Sequence, residues 1–358
     1  MSEISTKQIR NIGIIGGGQL GQMSCVAAQK LGFNVVIYSD ISECPGALVA
    51  DELLVGDYLD KDSLKKFIDK VDIVACEFEN IPYESARIIN NFVRICPNPE
   101  ILKIAQNRIF EKNFINGCGV ATADFKVIET KEDLVSGLQE FKKAVLKTAT
   151  LGYDGKGQHV LTKDNNLDDI WKRVSGLELV LERFCPFSLE ISILVARKEN
   201  GEISMFEPTR NIHKDGILDE SHFPSGVELG VVKNAKEIAS KLASGLDLVG
   251  LLCVEFFVLK NGELLVNEMA PRPHNSGHFT MDGANVSQFE QLIRAISNLD
   301  LGDVSYVREG YMKNLIGDEV LSLKTYEEDK NSKIHLYGKK EARKGRKMGH
   351  VNILKNNE

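Results

Sequence analysis

The chain has 358 residues, of which 43% are hydrophobic and 27% are charged, and its formal net charge is −7. This length predicts two or three domains. The acidic balance argues against general nucleic-acid binding, and no apolar run is long enough for a membrane span or a signal peptide. The seven cysteines are scattered and form no C-x-x-C pair, so we expect reduced thiols and a cytoplasmic location.

The first hundred residues alternate short apolar runs with amphipathic segments. Strands are predicted at 11–15, 34–38, 71–78 and 93–96, with helices at 19–31 and 62–69 and a longer helix from about 100 to 116. Continuous apolar strands separated by helices are typical of a parallel sheet that is covered on both faces.

From about residue 120 onward, strand-like runs follow one another with few helices between them. These runs lie at 144–148, 179–184, 189–196 and 203–207. They predict an antiparallel sheet in an α+β domain. After a helix at about 234–246, a hairpin is predicted from strands at 251–260 and 263–268, because Asn261 and Gly262 between them both tolerate positive φ.

A glycine loop at residues 16–21 contains G-x-G-x-x-G between the first predicted strand and helix. With Asp40 at the end of the next strand, it is typical of a dinucleotide-binding fold and suggests an NAD-dependent oxidoreductase. The alternative is a tight turn whose N–H groups hold some other phosphate. The rest of the chain favours the second interpretation, with the loop as the seat of a substrate phosphate.

Two glutamates are predicted to face each other across the hairpin. If Asn261 and Gly262 are the two turn residues, Glu255 lies opposite Glu268. Like charges about 4 Å apart repel by about 4 kcal/mol at an effective dielectric constant of about 20. A Mg²⁺ ion that bridges nucleotide phosphates would turn this repulsion into a binding site. The alternative is that both carboxylates face solvent.

A glycine-rich segment at 151–158 joins two predicted strands. It is not a Walker loop, because its lysine precedes Gly157 and no helix follows. It predicts a flap whose amides close over phosphates. Lys147, in the apolar strand before it, needs an anionic partner, and a nucleotide phosphate would serve. The alternative is an ordinary hairpin with a lysine at the sheet edge.

The segment after Glu268 carries Arg272 between two prolines, followed by His274 and Asn275. The prolines stiffen the backbone around the planar guanidinium. Together these side chains could grip a small oxyanion beside a terminal phosphate.

Five motifs in order, NIGIIGGGQLGQM, EFENI, GYDGKGQ, NEMAPRPHNSGH and YGKKEARKGRKMGH, resemble the 5-(carboxyamino)imidazole ribonucleotide synthase family of the ATP-grasp superfamily. The resemblance spans about 10–352. It implies α/β and α+β architecture, with a Rossmann-like pre-ATP-grasp domain (1–105), an ATP-grasp domain (106–300, mobile lid about 120–182) and a small β-rich C-terminal domain (301–358). It also implies a homodimer.

The resemblance further implies site residues and ligands. ATP-binding positions are Arg108, Lys147, Gly152, Tyr153, Asp154, Gly155, Lys156, Gly157, Gln158, Glu182, Arg183, Phe184, Cys185, Glu190, His213, Asn267 and Glu268. The implied metal ligands for Mg²⁺, or Mn²⁺ in its place, are Glu255 and Glu268. The implied catalytic residues are Arg272, His274 and Asn275 around bicarbonate, with Tyr153 and Asp154 near the amine. The implied ribonucleotide-binding residues are Gln19, Glu77, Asn80, Arg346 and Lys339, or Lys340 in place of Lys339.

The reaction implied is the ATP-dependent carboxylation of 5-aminoimidazole ribonucleotide in purine biosynthesis. Bicarbonate is activated as carboxyphosphate, giving 5-(carboxyamino)imidazole ribonucleotide, ADP and phosphate. One alternative is a formate-dependent ligase like glycinamide ribonucleotide transformylase, although the segment 272–278 favours bicarbonate. An oxidoreductase would leave the glutamate pair and the flap without a purpose, and a non-catalytic nucleotide-binding regulator is a further alternative.

Overall fold

The computed structural model describes residues 9–150, 152 and 157–356. The N-terminal part is a five-stranded parallel sheet in the order β3-β2-β1-β4-β5. Its strands are β1 (Asn11–Ile15), β2 (Asn34–Ser39), β3 (Glu52–Val55), β4 (Ile73–Cys76) and β5 (Ile95–Cys96). Its helices are α1 (Gln19–Lys30), α2 (Lys61–Ile68), α3 (Tyr83–Asn90) and α4 (Pro99–Ala105).

The parallel sheet confirms the α/β prediction, and its two faces pack into separate cores. Ile12 and Ile14 of β1 lie in one cluster, and Ile15 lies in the other. The sequence prediction missed β3 and α3. Strand β3 has only four residues and lies at the edge of the sheet, so its short apolar run did not stand out as a strand.

The single helix predicted at about 100–116 is wrong, because the structure has two helices, α4 and α5 (Arg108–Gly117). Asn107 separates them. Its side-chain Oδ1 accepts hydrogen bonds from the N–H groups of Ile109 and Phe110 at 2.9 and 3.3 Å, which caps the second helix. The backbone N–H of Arg108 donates to the carbonyl of Ala149. The break therefore places Arg108 at the mouth of a cleft.

A four-stranded antiparallel sheet follows, in the order β6-β9-β7-β8. It comprises β6 (Phe125–Ile128), β7 (Lys143–Thr148), β8 (Gln158–Thr162) and β9 (Leu179–Arg183), with α6 (Lys131–Phe141) and α7 (Leu167–Val174). The apolar sides of both helices pack with this sheet, and Leu134, Leu146 and Leu181 are fully buried there. The sheet forms one wall of the cleft.

The other wall belongs to a nine-stranded sheet in the order β15-β14-β10-β12-β13-β16-β18-β17, with β11 paired to β10. Its strands are β10 (Leu189–Arg197), β11 (Ile203–Met205), β12 (Thr209–Lys214), β13 (Ile217–Phe223), β14 (Gly250–Val258), β15 (Leu264–Ala270), β16 (Gly310–Ile316), β17 (Ser332–Leu336) and β18 (Lys347–Leu354). The remaining helices are α8 (Leu229–Gly245), α9 (Thr280–Gly283), α10 (Gln288–Ile296) and α11 (Lys324–Glu328). The C-terminal strands thus extend the same sheet.

The predicted hairpin is β14–β15, but its turn differs from the prediction. Leu259 pairs with Glu263, so the loop has three residues, and only Gly262 has positive φ (83°). This loop shifts the pairing by one residue, and an irregularity opposite Glu255 and Phe256 shifts it back. Glu255 therefore does face Glu268, because the two departures from the expected register cancel.

All seven cysteines lie within the described residues and carry free thiols, as predicted. Of the helices described, none is long and apolar enough to cross a membrane.

Candidate active site

A cavity of about 360 Å³ lies between the four-stranded and nine-stranded sheets. Nearly all the described residues predicted to bind ATP line it: Arg108, Lys147, Gly157, Gln158, Glu182, Arg183, Phe184, Cys185, Glu190, His213, Asn267 and Glu268. Gly152 lines a neighbouring cavity instead, and Tyr153, Asp154, Gly155 and Lys156 lie outside the described residues. We refer to this space as the nucleotide cavity.

Lys147 points to a buried carboxylate in the nucleotide cavity. Its Nζ lies 2.9 Å from Glu182 Oε2, and Lys112 Nζ lies 3.3 Å from Glu182 Oε1. Burial alone would raise the pKa of Glu182, but the two ammonium groups hold it at about 2. Burial lowers the pKa of Lys112, whereas Lys147 lines the cavity itself. Lys147 is therefore the ammonium group that this cluster presents to a phosphate. Lys112 was not predicted, because it lies within the amphipathic pattern of a helix.

Each of the two hairpin glutamates contacts a basic side chain, an arginine in one case and a histidine in the other. Glu268 Oε2 accepts a hydrogen bond from Arg108 Nη1 at 3.0 Å. Glu255 Oε1 lies 2.9 Å from His274 Nε2. Burial alone would lower the pKa of His274. The electrostatic influence of Cys253, followed by that of Glu255, outweighs burial and raises this pKa to about 10. The predicted repulsion between the glutamates is thus reduced without a metal.

A second cavity, of about 480 Å³, adjoins the first. It lies at the carboxyl edge of the parallel sheet, and we refer to it as the substrate cavity. Six residues predicted to touch bicarbonate or the ribonucleotide line it: Gln19, Glu77, Asn80, Arg272, His274 and Asn275. The structure therefore brings together residues separated by more than 250 positions in the chain.

Arg272 is held across the substrate cavity by Glu79, which lies between the predicted site residues Glu77 and Asn80. Arg272 Nη2 donates to Glu79 Oε1 at 2.9 Å, and its Nε donates to Oε2 of the same carboxylate. Burial alone would raise the pKa of Glu79, but the guanidinium holds it at about 2. This two-point contact fixes the plane of the guanidinium.

The glycine loop is already occupied by a side chain of the protein. Parallel strands β1 and β4 are neighbours, with Ile15 opposite Cys76, so the segments after them meet. Glu77 Oε2 accepts from the N–H of Gly18 at 2.6 Å, and its Oε1 accepts from Leu20 at 3.2 Å. Burial raises the pKa of this carboxylic acid, and those N–H donors oppose the rise.

The sequence-based interpretation of this loop as a phosphate seat therefore fails at the N–H groups of Gly18 and Leu20. A Cβ on Gly16, where φ is 108°, would lie 2.6 Å from Glu77 Oε2. The glycines thus admit the carboxylate to the N-terminus of α1, which lacks a side-chain cap of its own. The same occupancy opposes binding of a dinucleotide pyrophosphate at these groups.

The nucleotide and substrate cavities share five lining residues: Arg108, Glu268, His274, Asn275 and Lys347. Both side-chain polar atoms of Asn275 are buried and have no hydrogen-bond partner among the residues that the structure describes. A ligand in either cavity can thus reach polar groups at their junction. This is the arrangement required if a phosphate in one cavity is to react with a molecule in the other.

The predicted C-terminal basic residues contact other parts of the chain in this structure. Lys339 donates to the carbonyl of Lys347, Arg346 donates to the carbonyl of Glu341, and neither lines the two central cavities. Lys340 pairs with Glu43. Lys347 lines both cavities and was not predicted, although its position next to Arg346 in a basic segment was a usable signal.

Glu111 is another residue that the sequence did not reveal. It lines the substrate cavity, and its Oε1 accepts from the N–H of Met269 at 2.5 Å. Burial, followed by the charge of Glu268, raises the pKa of Glu111 to about 8. It therefore supports the backbone beside Glu268 from helix α5.

The donor set at the hairpin suits a hard divalent cation. Glu255 and Glu268 pair across β14 and β15, and both line the nucleotide cavity with Asn267. Within the described part of the chain, no group of three or more His, Cys, Asp or Glu side chains could hold a metal by itself. Two carboxylates completed by nucleotide phosphates and water are a usual environment for Mg²⁺.

Three domain families match the chain in sequence. The ribonucleotide synthetase preATP-grasp domain matches residues 9–106, the ATP-grasp domain matches 113–289, and the phosphoribosylaminoimidazole carboxylase C-terminal domain matches 310–358. Together with the cleft between two sheets, these matches define the protein as an enzyme of the ATP-grasp class.

Full-length relatives narrow this class. N5-carboxyaminoimidazole ribonucleotide synthase of Bacillus subtilis is 43% identical over 97% of this chain and 92% of its own length, and that of Brucella melitensis is 40% identical over 99% of both. A crystal structure of N5-carboxyaminoimidazole ribonucleotide synthetase with ADP superimposes with a TM-score of 0.94 at 39% identity, covering 97% of this chain and 93% of the other. The chain belongs to the N5-carboxyaminoimidazole ribonucleotide synthase family.

Proposed function

We propose that the protein uses ATP to join bicarbonate to the exocyclic amine of 5-aminoimidazole ribonucleotide, giving 5-(carboxyamino)imidazole ribonucleotide, ADP and phosphate. One observation carries this proposal. The nucleotide and substrate cavities meet at Arg108, Glu268, His274 and Asn275. A phosphoryl group can therefore pass to a small oxyanion that is itself next to the acceptor amine.

In the first step, a bicarbonate oxygen attacks the γ-phosphorus of ATP, ADP leaves and carboxyphosphate forms. Lys147 and Arg108 supply positive charge at the phosphoryl oxygens, where charge builds up in the transition state. Arg272, His274 and Asn275 hold the bicarbonate. Glu255 and Glu268 would hold Mg²⁺, which neutralises phosphate charge when it is bound.

In the second step, the exocyclic amine attacks the carbonyl carbon of carboxyphosphate, or of CO₂ released from it. The C–O bond to phosphate breaks, and the nitrogen loses one proton as the new N–C bond forms. Tyr153 and Asp154 are our candidates to orient the amine and accept that proton. Gln19, Glu77 and Asn80 would contact the ribonucleotide, together with Arg346 and Lys339, or Lys340 in its place.

Carboxyphosphate reacts readily with water, so the proposed chemistry needs a closed site. We propose that the segment about 120–182 is a lid and that the glycine-rich stretch 151–158 closes over the phosphates. Domain boundaries near residues 105 and 300, a homodimer and a cytoplasmic location complete the proposal. The free thiols of all seven cysteines support the location.

The experiment is to supply ATP, Mg²⁺, ¹³C-bicarbonate and aminoimidazole ribonucleotide, and to measure phosphate release and label in the product. We expect both, with release falling when bicarbonate is removed. Phosphate release without label in the ribonucleotide would refute the carboxylation. Release that depends on formate and glycinamide ribonucleotide would favour the transformylase-like alternative.

A further inference from the structure

A buried glutamine clamps the segment that carries Arg272, His274 and Asn275. Gln288 is the first residue of α10, and it is completely buried. Among the described residues, its side-chain amide makes three hydrogen bonds, all of them to that segment. Because the apolar residues of α10 lie in a hydrophobic core, this clamp ties the segment to that core.

The orientation of the Gln288 amide is fixed by the backbone of one residue. Its Oε1 accepts from the N–H of His274 at 2.8 Å, and its Nε2 donates to the carbonyl of His274 at 2.7 Å. If the amide were flipped, its NH₂ group would face the N–H of His274 and its oxygen would face the carbonyl of His274. A backbone N–H can only donate and a carbonyl can only accept, so a single amide orientation satisfies both.

This orientation decides which nitrogen of His278 carries a proton. The amide nitrogen of Gln288 also lies 3.0 Å from His278 Nδ1. Because that nitrogen donates, Nδ1 must accept and therefore has no proton. Burial lowers the pKa of His278 well below its usual value, so the ring stays neutral and its proton lies on Nε2. His278 lines the substrate cavity.

The clamp also depends on a close approach that only glycine allows. A Cβ on Gly277 would lie 2.6 Å from Gln288 Oε1. Thr280 joins the same network, since its hydroxyl donates to the carbonyl of Gly277 at 2.6 Å and accepts from the N–H of Gln288 at 2.9 Å. Hydrogen bonds in this network therefore hold the segment at His274, Gly277 and His278, before α10 begins.

We propose that Gln288 is a positioning residue, which sets the backbone at His274 and holds His278 as a neutral Nε2–H donor in the substrate cavity. In this state His278 can donate to an anionic oxygen of a substrate, and Nδ1 cannot act as the base for the amine proton. The tautomer follows from contacts alone, whereas the effect on turnover rests on the proposed function.

The same helix offers a matched control. Gln291 is also completely buried, and its amide clamps the backbone of Gly302, accepting from the N–H at 2.9 Å and donating to the carbonyl at 3.3 Å. It makes no hydrogen bond to the segment 272–278. Substitutions at Gln288 and Gln291 therefore each remove a buried amide that binds backbone groups from the same helix. Only the Gln288 amide contacts the segment that lines the substrate cavity.

The first measurement is the ring-nitrogen NMR spectrum of the ¹⁵N-histidine-labelled full chain, with His278 assigned by its loss in the H278Q variant. We expect a protonated Nε2 and an unprotonated Nδ1. In Gln288→Glu the new carboxylate can only accept, so we expect the proton on Nδ1. Gln291→Glu should keep the wild-type tautomer. A proton on Nδ1 in the wild type would overturn the inference.

The second measurement is steady-state kinetics. Displacing the segment should lower kcat/KM for bicarbonate by about 100-fold in Gln288→Glu, with little change in KM for ATP. Gln291→Glu should change neither. Gln288→Met, which also loses the donor, gives the same test if the glutamate variant does not fold. Unchanged bicarbonate kinetics in a folded Gln288 variant would refute the positioning role, even if the tautomer changes. An inactive wild type with the expected tautomer would refute only the proposed function.

Discussion

Glu77 caps the first helix of the N-terminal sheet through Gly18, whose backbone N–H donates to Glu77 Oε2 at 2.6 Å. A helix N-terminus is a common seat for phosphate, and here an internal carboxylate takes its place. The contact explains how a glycine loop of the dinucleotide-binding type occurs in a protein of the ATP-grasp class. It also means that this turn is held by hydrogen bonds to a side chain that follows a different strand, β4.

We expect Glu77→Gln to destabilise the fold by about 1–3 kcal/mol, because an amide NH₂ would then face an N–H donor in a buried site. Urea unfolding measures the change. Glu84→Gln, on the exposed surface of α3, is the control and should change stability by much less. Equal stability of the two variants would contradict the capping role.

Local patterns predicted the fold well, because they depend on residues close in sequence. The apolar run at 11–15 and the glycine loop after it gave β1 and the start of α1 to the residue. The predicted pairing of Glu255 with Glu268 is confirmed, but the predicted two-residue turn is not the reason for it. The turn and the β-irregularity depend on backbone geometry that a residue count cannot predict.

Long-range partners could not be predicted in the same way. Glu79 and Arg272 are 193 residues apart, and only the packing of the parallel sheet against the segment after β15 brings them together. Lys112 looks like any polar position of an amphipathic helix until the fold buries it beside Glu182. Most of the other site residues came from a family resemblance, since the residue types alone do not reveal which cavity they face.

Glu268→Gln should lower kcat for phosphate release by about 100-fold or more. The substitution removes the charge that pairs with Arg108 at 3.0 Å and that would help to hold Mg²⁺. Steady-state phosphate release measures this loss, and ADP binding by calorimetry tests whether the nucleotide cavity is intact. Glu263→Gln, an exposed change on the same hairpin, should retain activity. A fully active Glu268→Gln enzyme would rule out the metal assignment.

Arg272→Lys should weaken the use of bicarbonate while leaving ATP binding nearly unchanged. Lysine keeps the charge but cannot make the two-point contact with Glu79. Losing one charged hydrogen bond is worth about 1.5–3 kcal/mol, so kcat/KM for bicarbonate should fall by about 10- to 100-fold. Arg294→Lys provides the control, because Arg294 pairs with Glu290 away from both cavities. A lysine variant with normal bicarbonate kinetics would argue against the role of the guanidinium plane.

Two buried histidines should make the protein less stable in mild acid. Burial lowers the pKa of His278 and of His350 well below 6.5, so both rings stay neutral in the fold. The unfolded chain takes up protons at these positions as the pH falls through about 6.5, whereas the folded protein does not. The free energy of unfolding therefore decreases below that pH, by about 1.4 kcal/mol per pH unit for each ring.

His350→Gln isolates one of these contributions. His350 stacks between His278 and His335 at ring distances of 4.6 and 4.5 Å, and its Nδ1 lies 2.9 Å from the hydroxyl of Tyr337. We expect the variant to lose stability more slowly than the wild type between pH 6.5 and 5, by about 1.4 kcal/mol per unit. Urea unfolding at several pH values gives both slopes, and groups common to the two proteins cancel in the difference. Parallel slopes would mean that His350 is protonated in the folded state.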